Sequence, residues 1–125
     1  MIADTTFLSD FHHEREAAGR GPASEFLAAH RSQATLVTVI FIAEIAVIFD
    51  SNVAAREFVG HFRALRLTPE IAWTAAGIDR ELIARGERLG ENDNWIAGFC
   101  RYYGQPIISR DQAFDRVRGL RRLAY

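Results

Sequence analysis

Four acidic residues, Asp4, Glu44, Asp93 and Asp111, have the types and positions in this sequence best suited to chemistry. Asp4 and Asp111 come just after short apolar runs that are typical of strands. Glu44 and Asp93 lie near the starts of the helices beside them. Because strand ends and the helix starts that follow them share one edge of a parallel sheet, we expect the four side chains to face one cleft.

Carboxylates that gather in one pocket repel each other unless a cation lies among them. A set of hard oxygen ligands favours Mg²⁺ or Mn²⁺ over zinc. These ions favour phosphoryl chemistry, because they activate water and neutralise charge on the phosphate and on the leaving oxygen. The four acids therefore predict a catalytic metal site that acts on phosphate esters.

Glu44 is the most telling of the four, because residues 40–48 around it are otherwise apolar. A carboxylate in such surroundings is costly to bury without a partner. No cationic residue occurs between Arg31 and Arg56, so no local ion pair is available. A metal ion or the rim of a pocket would explain Glu44, and a solvent-facing stripe on an apolar helix is the alternative.

The other three acids also have plain structural explanations. Asp4 and Asp93 are both suited to capping a helix N-terminus. Asp111 is suited to a turn after a strand. Each residue alone is weak evidence for a site, and the shared edge is what strengthens the set.

Composition limits the possible functions. The chain has 125 residues and is 49% hydrophobic, which suits one domain over residues 1–125. Its net charge of −1 gives no general attraction to nucleic acid, so RNA binding would depend on local arginines. All 15 cationic residues are arginine, which excludes lysine chemistry. The single cysteine, Cys100, excludes an internal disulfide and makes a reducing cytoplasm the expected compartment.

Strand-like runs alternate with helical periodicity, which predicts a three-layer α/β/α domain with a mostly parallel sheet. The predicted strands are residues 1–3, 36–39, 66–67, 107–108 and 121–124. Helices are expected to begin at Pro22, at Phe41, after the Asp50–Asn52 caps, after Thr68 and near Asn92 or Asp93. The apolar segment from Thr35 to Phe49 is too short for a membrane span, which takes about 20 residues.

Four segments occur in a characteristic order: IADTTFLSDF, VTVIFIAEI, GENDNWIAGFC and PIISRDQAFDRVRGLRRL. In order and spacing they resemble the PIN domain family, and within it the VapC-like toxins of type II toxin–antitoxin pairs. The resemblance covers nearly the whole chain. Its most specific part is NDNWIAG followed by SRDQAF.

The resemblance implies an endoribonuclease that needs Mg²⁺ or Mn²⁺. Such an enzyme hydrolyses RNA by a metal-activated water and leaves a 5′-phosphate and a 3′-hydroxyl. It also implies a homodimer and an inhibitory antitoxin protein. By position, Asp4, Glu44 and Asp93 match the metal-binding acids, and Asp111 matches the fourth acid, which is asparagine in some relatives.

Three further residues are candidates for substrate contact. Thr5 or Thr6 matches the small polar residue beside the first acid of the family. Arg110 would hold the RNA backbone, since guanidinium binds phosphate in a bidentate way, although a solvated surface arginine is the alternative. Ser109 stands where the family pattern has threonine. The AVIF segment departs from the family's usual sequence after Glu44, which affects the expected dimer and antitoxin contacts.

Two rival functions remain. A phospho-accepting receiver domain has a similar length and an acidic Mg²⁺ pocket, but it needs a lysine that this chain lacks. A non-catalytic PIN-like scaffold that binds RNA or protein is the alternative function. Mn²⁺-dependent stabilisation and nuclease activity would discriminate between the enzyme and the scaffold.

Overall fold

The computed structural model describes residues 1–125 and contains one sheet of five very short strands. The strands are β1 (Ile2–Ala3), β2 (Leu36–Val37), β3 (Arg63–Ala64), β4 (Ile107–Ile108) and β5 (Arg122–Leu123). Their order across the sheet is β3-β2-β1-β4-β5, and every neighbouring pair is parallel. The first strand is thus the central one, with Ile2 opposite both Leu36 and Ile107. The predicted α/β class and parallel sheet are confirmed.

Six α-helices connect these strands. They are α1 (Thr5–Glu16), α2 (Pro22–Ala29), α3 (Val39–Ala46), α4 (Asn52–Val59), α5 (Pro69–Ile83) and α6 (Glu91–Tyr103). A short 3₁₀ helix, Gln112–Arg116, lies between β4 and β5. Proline occupies the first position of α2 and α5, where no N–H donor is needed. Gly104 ends α6 in the left-handed conformation, with φ of +61°, which glycine adopts without steric cost.

Both faces of the sheet are covered. Successive residues of a strand point to opposite faces, and Ile2, Ala3, Ile107 and Ile108 are all fully buried. Helices therefore pack on each side of the central strands, which gives the expected three layers. The longest helix, α5, has 15 residues, and none of the helices has the length and apolar character that a membrane-spanning helix needs.

Four strands differ from the sequence prediction. The outer ends are trimmed in β1, which is Ile2–Ala3, and in β5, which is Arg122–Leu123, and the other two strands differ more. The third strand is Arg63–Ala64 rather than residues 66–67, because it pairs with β2 at the edge of the sheet. Both of its residues are exposed, so no apolar pattern marks it. The second strand ends at Val37 instead of residue 39, since the Thr38 hydroxyl accepts a hydrogen bond from Phe41 N and starts α3 there. Helix α3 accordingly spans Val39–Ala46 rather than starting at Phe41.

One predicted helix cap is wrong, and another lies at the predicted position but makes no side-chain hydrogen bond. Helix α6 starts at Glu91, and its N-cap is Gly90, which offers no side-chain cap. Asn92 and Asp93 lie inside the first turn, so both side chains are free to point elsewhere. The Thr68 side chain makes no capping hydrogen bond to α5. Proline at position 69 is therefore the signal that correctly marks the start of that helix.

Candidate functional site

Asp4 lies at the carboxyl end of the central strand and is 7% exposed. Its Oδ1 accepts a hydrogen bond of 2.6 Å from Phe7 N, so it also caps α1. Burial raises the pKa of Asp4 to about 6, and the charges of Asp10 and Asp111 act in the same direction. The Ser109 hydroxyl and the Phe7 N–H oppose this rise in pKa by bonding to the carboxylate. Asp4 therefore caps α1 and also lies at the predicted position of the site, at the carboxyl end of the central strand.

Glu44 lies half-buried on α3 and is held by hydrogen bonds from two other elements. The Thr5 hydroxyl donates to Oε2, and Asn92 Nδ2 donates to Oε1 over 2.5 Å. Thr5 follows Asp4 in the chain, and Asn92 precedes Asp93. Glu44 thus links the end of β1 to the start of α6, and these polar partners account for a carboxylate in an apolar helix.

Asp93 lies in the first turn of α6 and is partly buried. Burial raises the pKa of Asp93, and the negative charges of Asp111 and Glu44 raise it further. Its Oδ2 comes so close to Gly90 that a Cβ at that position would lie 3.1 Å away. Glycine at position 90 therefore leaves room for the carboxylate at this edge.

Asp111 follows β4 and is exposed. Its N–H donates to the buried Ser109 hydroxyl over 3.0 Å, and its Oδ1 accepts from Ala113 N over 2.8 Å. Asp111 thus caps the short 3₁₀ helix, which agrees with its structural explanation. Its charge still reaches both Asp4 and Asp93, since it contributes to the raised pKa of each.

The structure therefore brings the four predicted acids to one edge of the sheet. None of them forms an ion pair with arginine. All their possible ligand atoms are hard oxygens. Burial raises the pKa of Asp4 and of Asp93, and neighbouring negative charges raise both further. In their chemistry they fit a divalent cation. They are not preassembled for one, because no three histidine, cysteine, aspartate or glutamate side chains are arranged to hold a metal ion.

The three candidate substrate contacts lie in different surroundings. The Thr5 hydroxyl donates a hydrogen bond to Glu44, one of the four acids. Thr6 is exposed and makes no side-chain hydrogen bond. Arg110 lies beside Asp111 in sequence, but it pairs with Asp10 over 3.1 Å and stacks on Tyr125. Of the three candidates, only Thr5 therefore makes a hydrogen bond to one of the four acids, and Arg110 contacts Asp10 and Tyr125 instead.

Sequence reasoning missed Asn92, Asp10 and Tyr125 as residues of this region. Asn92 was expected to cap a helix, whereas its amide binds Glu44 on another helix. The NDN sequence was a signal, since an amide next to a candidate ligand is suited to orienting a second carboxylate. Asp10 and Tyr125 meet only in the folded chain, and no local pattern marks their contact.

Comparison with solved structures finds the same fold in several bacterial complexes. A chain of VapBC2 from Rickettsia felis, bound to a DNA fragment from its promoter, matches with a TM-score of 0.80 and 13% identity, over 99% of this chain and 97% of that one. VapBC-1 from nontypeable Haemophilus influenzae matches with a TM-score of 0.79 and 20% sequence identity, over 98% of this chain and 96% of that one. A chain of a toxin–antitoxin complex from Klebsiella pneumoniae matches with a TM-score of 0.73 and 19% sequence identity, over 95% of this chain and 93% of that one. At these identities the likeness concerns the fold.

Comparison with curated protein sequences gives no significant match. A family comparison does: the PIN domain model matches residues 1–120, nearly the full length. The match includes all four acids and the strands β1 to β4, and it ends just before β5. This chain belongs to the PIN domain family.

Proposed function

We propose that this protein is an endoribonuclease that depends on Mg²⁺ or Mn²⁺ and acts as the toxin of a type II toxin–antitoxin pair. The observation that carries the proposal is the group of four acids at one sheet edge, with two raised pKa values and no arginine partner. Such a group is costly unless a cation or a proton balances it. Membership of the PIN family supports a nuclease role for that edge.

In this mechanism Asp4, Glu44, Asp93 and Asp111 would hold the ion. The ion would supply the Lewis acidity that activates water and neutralises charge on the phosphate. The chain supplies the orientation of these groups. The Phe7 N–H fixes Asp4, while Thr5 and Asn92 fix Glu44. Arg110 would contact the RNA backbone, and the products would carry a 5′-phosphate and a 3′-hydroxyl.

The partners follow from the same proposal. An antitoxin is supported by the structural neighbours, several of which are toxin–antitoxin complexes. A homodimer and a cytoplasmic location stay predictions. A short reading frame immediately upstream, whose product binds this chain and inhibits it, would support the toxin assignment.

The central test is cleavage of defined RNAs with Mn²⁺ or Mg²⁺, compared with EDTA. We expect Asp93→Ala to lower the cleavage rate by about 100-fold or more, because the site loses a carboxylate that would help to hold the metal ion. Glu91→Ala is the matched control, since Glu91 is an exposed acid in the same helical turn. Mn²⁺ should also raise the melting temperature of the wild-type protein more than that of Asp93→Ala.

The alternative function, a non-catalytic scaffold, is favoured by the lack of a preassembled metal group. The same experiments discriminate between the two functions. A scaffold would show no Mn²⁺-dependent stabilisation and no cleavage with either ion. Equal cleavage by wild type and Asp93→Ala would show that the activity comes from elsewhere.

Asn92 offers a finer prediction for the same site. Asn92→Ala should lower the cleavage rate by about 10-fold, because Glu44 loses one of its two orienting hydrogen bonds. The metal concentration needed for half-maximal activity should rise as well. The control is Asn52→Ala, which removes an exposed asparagine side chain from α4. An unchanged rate in Asn92→Ala would mean that Glu44 needs no support from α6.

A further inference from the structure

Three residues from distant parts of the chain contact one another beside the acidic edge: Asp10, Arg110 and Tyr125. We call them the Arg110 cluster. Arg110 Nη1 lies 3.1 Å from Asp10 Oδ2, and the Tyr125 hydroxyl donates to the same oxygen over 2.8 Å. The guanidinium carbon lies 4.3 Å from the centre of the Tyr125 ring. Each residue thus contacts the other two, which restricts the position of the guanidinium.

The cluster is anchored to the core through Tyr125. The tyrosine ring makes an edge contact with the fully buried Phe7, with ring centres 4.7 Å apart, and a second edge contact with Phe26. Phe7 is the residue whose N–H binds Asp4. The guanidinium is therefore held on the same rigid elements that position the first acid.

Two arginines lie beside Asp111, and they differ in availability. Arg110 precedes Asp111 in the chain, and Arg122 is close enough for the charge of Asp111 to raise its pKa. Arg122 makes two hydrogen bonds to Asp115, donates to Ser109 O, and has a side chain only 15% exposed. Arg110 has a side chain 49% exposed and directs one N–H to Asp10. A guanidinium has five N–H donors, so Arg110 retains free donors that face solvent. Arg110 is the cation at this edge that can accept a new anionic partner.

An RNA strand approaching four carboxylates meets strong repulsion unless a fixed cation lies on its path. We propose that Asp10 and Tyr125 are positioning residues, which hold Arg110 so that its free N–H groups grip a backbone phosphate of single-stranded RNA next to the acidic edge. This inference rests on the proposed function and adds to it how the substrate contact is built. A preorganised guanidinium loses less conformational freedom on binding than a mobile one.

The test measures binding of a labelled single-stranded RNA in EDTA, where metal-dependent cleavage is absent. We expect Arg110→Ala to weaken binding about fivefold to tenfold, as for loss of a charge-assisted contact. The slope of log affinity against log salt should become shallower by about 0.7, the value for one phosphate contact on a single strand. Arg110→Lys should recover part of the affinity, because lysine keeps the charge but loses the planar fork. Arg31→Ala removes an exposed arginine from the loop before β2 and should change neither quantity.

The positioning role is tested by combining variants. Tyr125→Leu and Asp10→Asn should each weaken binding in the wild-type background and have no further effect when Arg110 is alanine. Tyr125→Phe keeps the stacked ring and should fall between Tyr125→Leu and wild type. Melting curves of each variant establish that binding is measured on folded protein.

Several results would overturn the inference. One is an effect of Tyr125→Leu that persists at full size in the Arg110→Ala background, because Tyr125 would then act on structure alone. Another is equal binding by Arg110→Ala and Arg31→Ala, or no binding by wild type. Cleavage assays in Mn²⁺ separate this outcome from failure of the proposed function. If the wild-type protein cleaves RNA but Arg110→Ala binds RNA as tightly as wild type, only the inference is refuted. If RNA binding depends on Arg110 but no cleavage occurs, only the proposed nuclease function is refuted.

Discussion

Asp4→Asn is expected to abolish metal-dependent RNA cleavage and, at the same time, to make the metal-free protein more stable at neutral pH. Asparagine still caps α1 well, so the bond to Phe7 N is kept. The loss of activity should be about 100-fold or more, because a central negative charge of the site disappears. Activity and stability should therefore move in opposite directions in this variant.

The gain in stability follows from the pKa of Asp4. Burial raises that pKa from 3.8 to about 6, so the folded state binds a proton more tightly than the unfolded chain. The wild-type protein consequently loses stability as the pH rises from the unfolded pKa through the folded one, and asparagine avoids this loss. At one pKa unit per about 1.4 kcal/mol, the gain at neutral pH is up to about 3 kcal/mol.

Urea denaturation in EDTA, at about pH 4 and about pH 7, measures this difference. The two proteins should differ most at neutral pH and converge in acid. Added Mn²⁺ should stabilise the wild-type protein more than Asp4→Asn. A variant no more stable than wild type at neutral pH would contradict the proposed cost of the buried carboxylate.

Gly98→Val is expected to have the largest effect on folding, with a loss of about 3 kcal/mol in the free energy of unfolding. Gly98 is buried where α6 packs on α5. A Cβ at this position would lie 2.9 Å from Ala75 Cβ and 3.2 Å from Ile71 O, and neither neighbour is the end of a flexible side chain. The two helices would have to move apart, which would also shift Asp93 and Asn92 away from Glu44.

Gly77 on α5 provides the matched control. A Cβ there meets nothing within 4 Å, so Gly77→Ala should raise the free energy of unfolding by about 0.5–1 kcal/mol through the helix propensity of alanine. Gly98→Ala should be destabilising despite the same propensity gain. Thermal and urea unfolding of the three variants checks the order, and a Gly98→Val protein as stable as wild type would contradict the close contact between α5 and α6.

Local signals in the sequence were sufficient to predict most of the fold. Pro22 marked the start of α2, and the Thr68–Pro69 pair marked the start of α5. Ile107 and Ile108 formed the expected buried strand, because two β-branched residues between a turn and a polar segment leave few alternatives. The third strand was misplaced since its two residues are exposed at the sheet edge, where pairing with β2 decides the structure and hydrophobicity does not.

The positions of Asp4, Asp93 and Asp111 could be predicted from the same local signals, because each lies next to a strand or a helix start. Glu44 lies nearer the end of α3 than its predicted place by the helix start, and it was singled out only as a charge among apolar residues. The partners of the acids could not be predicted. The bond from Asn92 to Glu44 joins residues 48 positions apart, and the bond from Tyr125 to Asp10 joins residues 115 positions apart. Such contacts depend on how helices are oriented on the sheet, which the pattern of one sequence leaves undetermined.

The central place of β1 affects when the acidic edge can assemble during synthesis. Its neighbours are β2 from the first third of the chain and β4 from near its end. A nascent chain that stops short of Ile107 lacks one side of the ladder that holds Asp4, and it also lacks Asp111. Contacts between such distant segments form only after most of the polypeptide is available. The acidic edge can therefore assemble only after the segment with Ile107 and Asp111 has been synthesised and β4 has paired with β1.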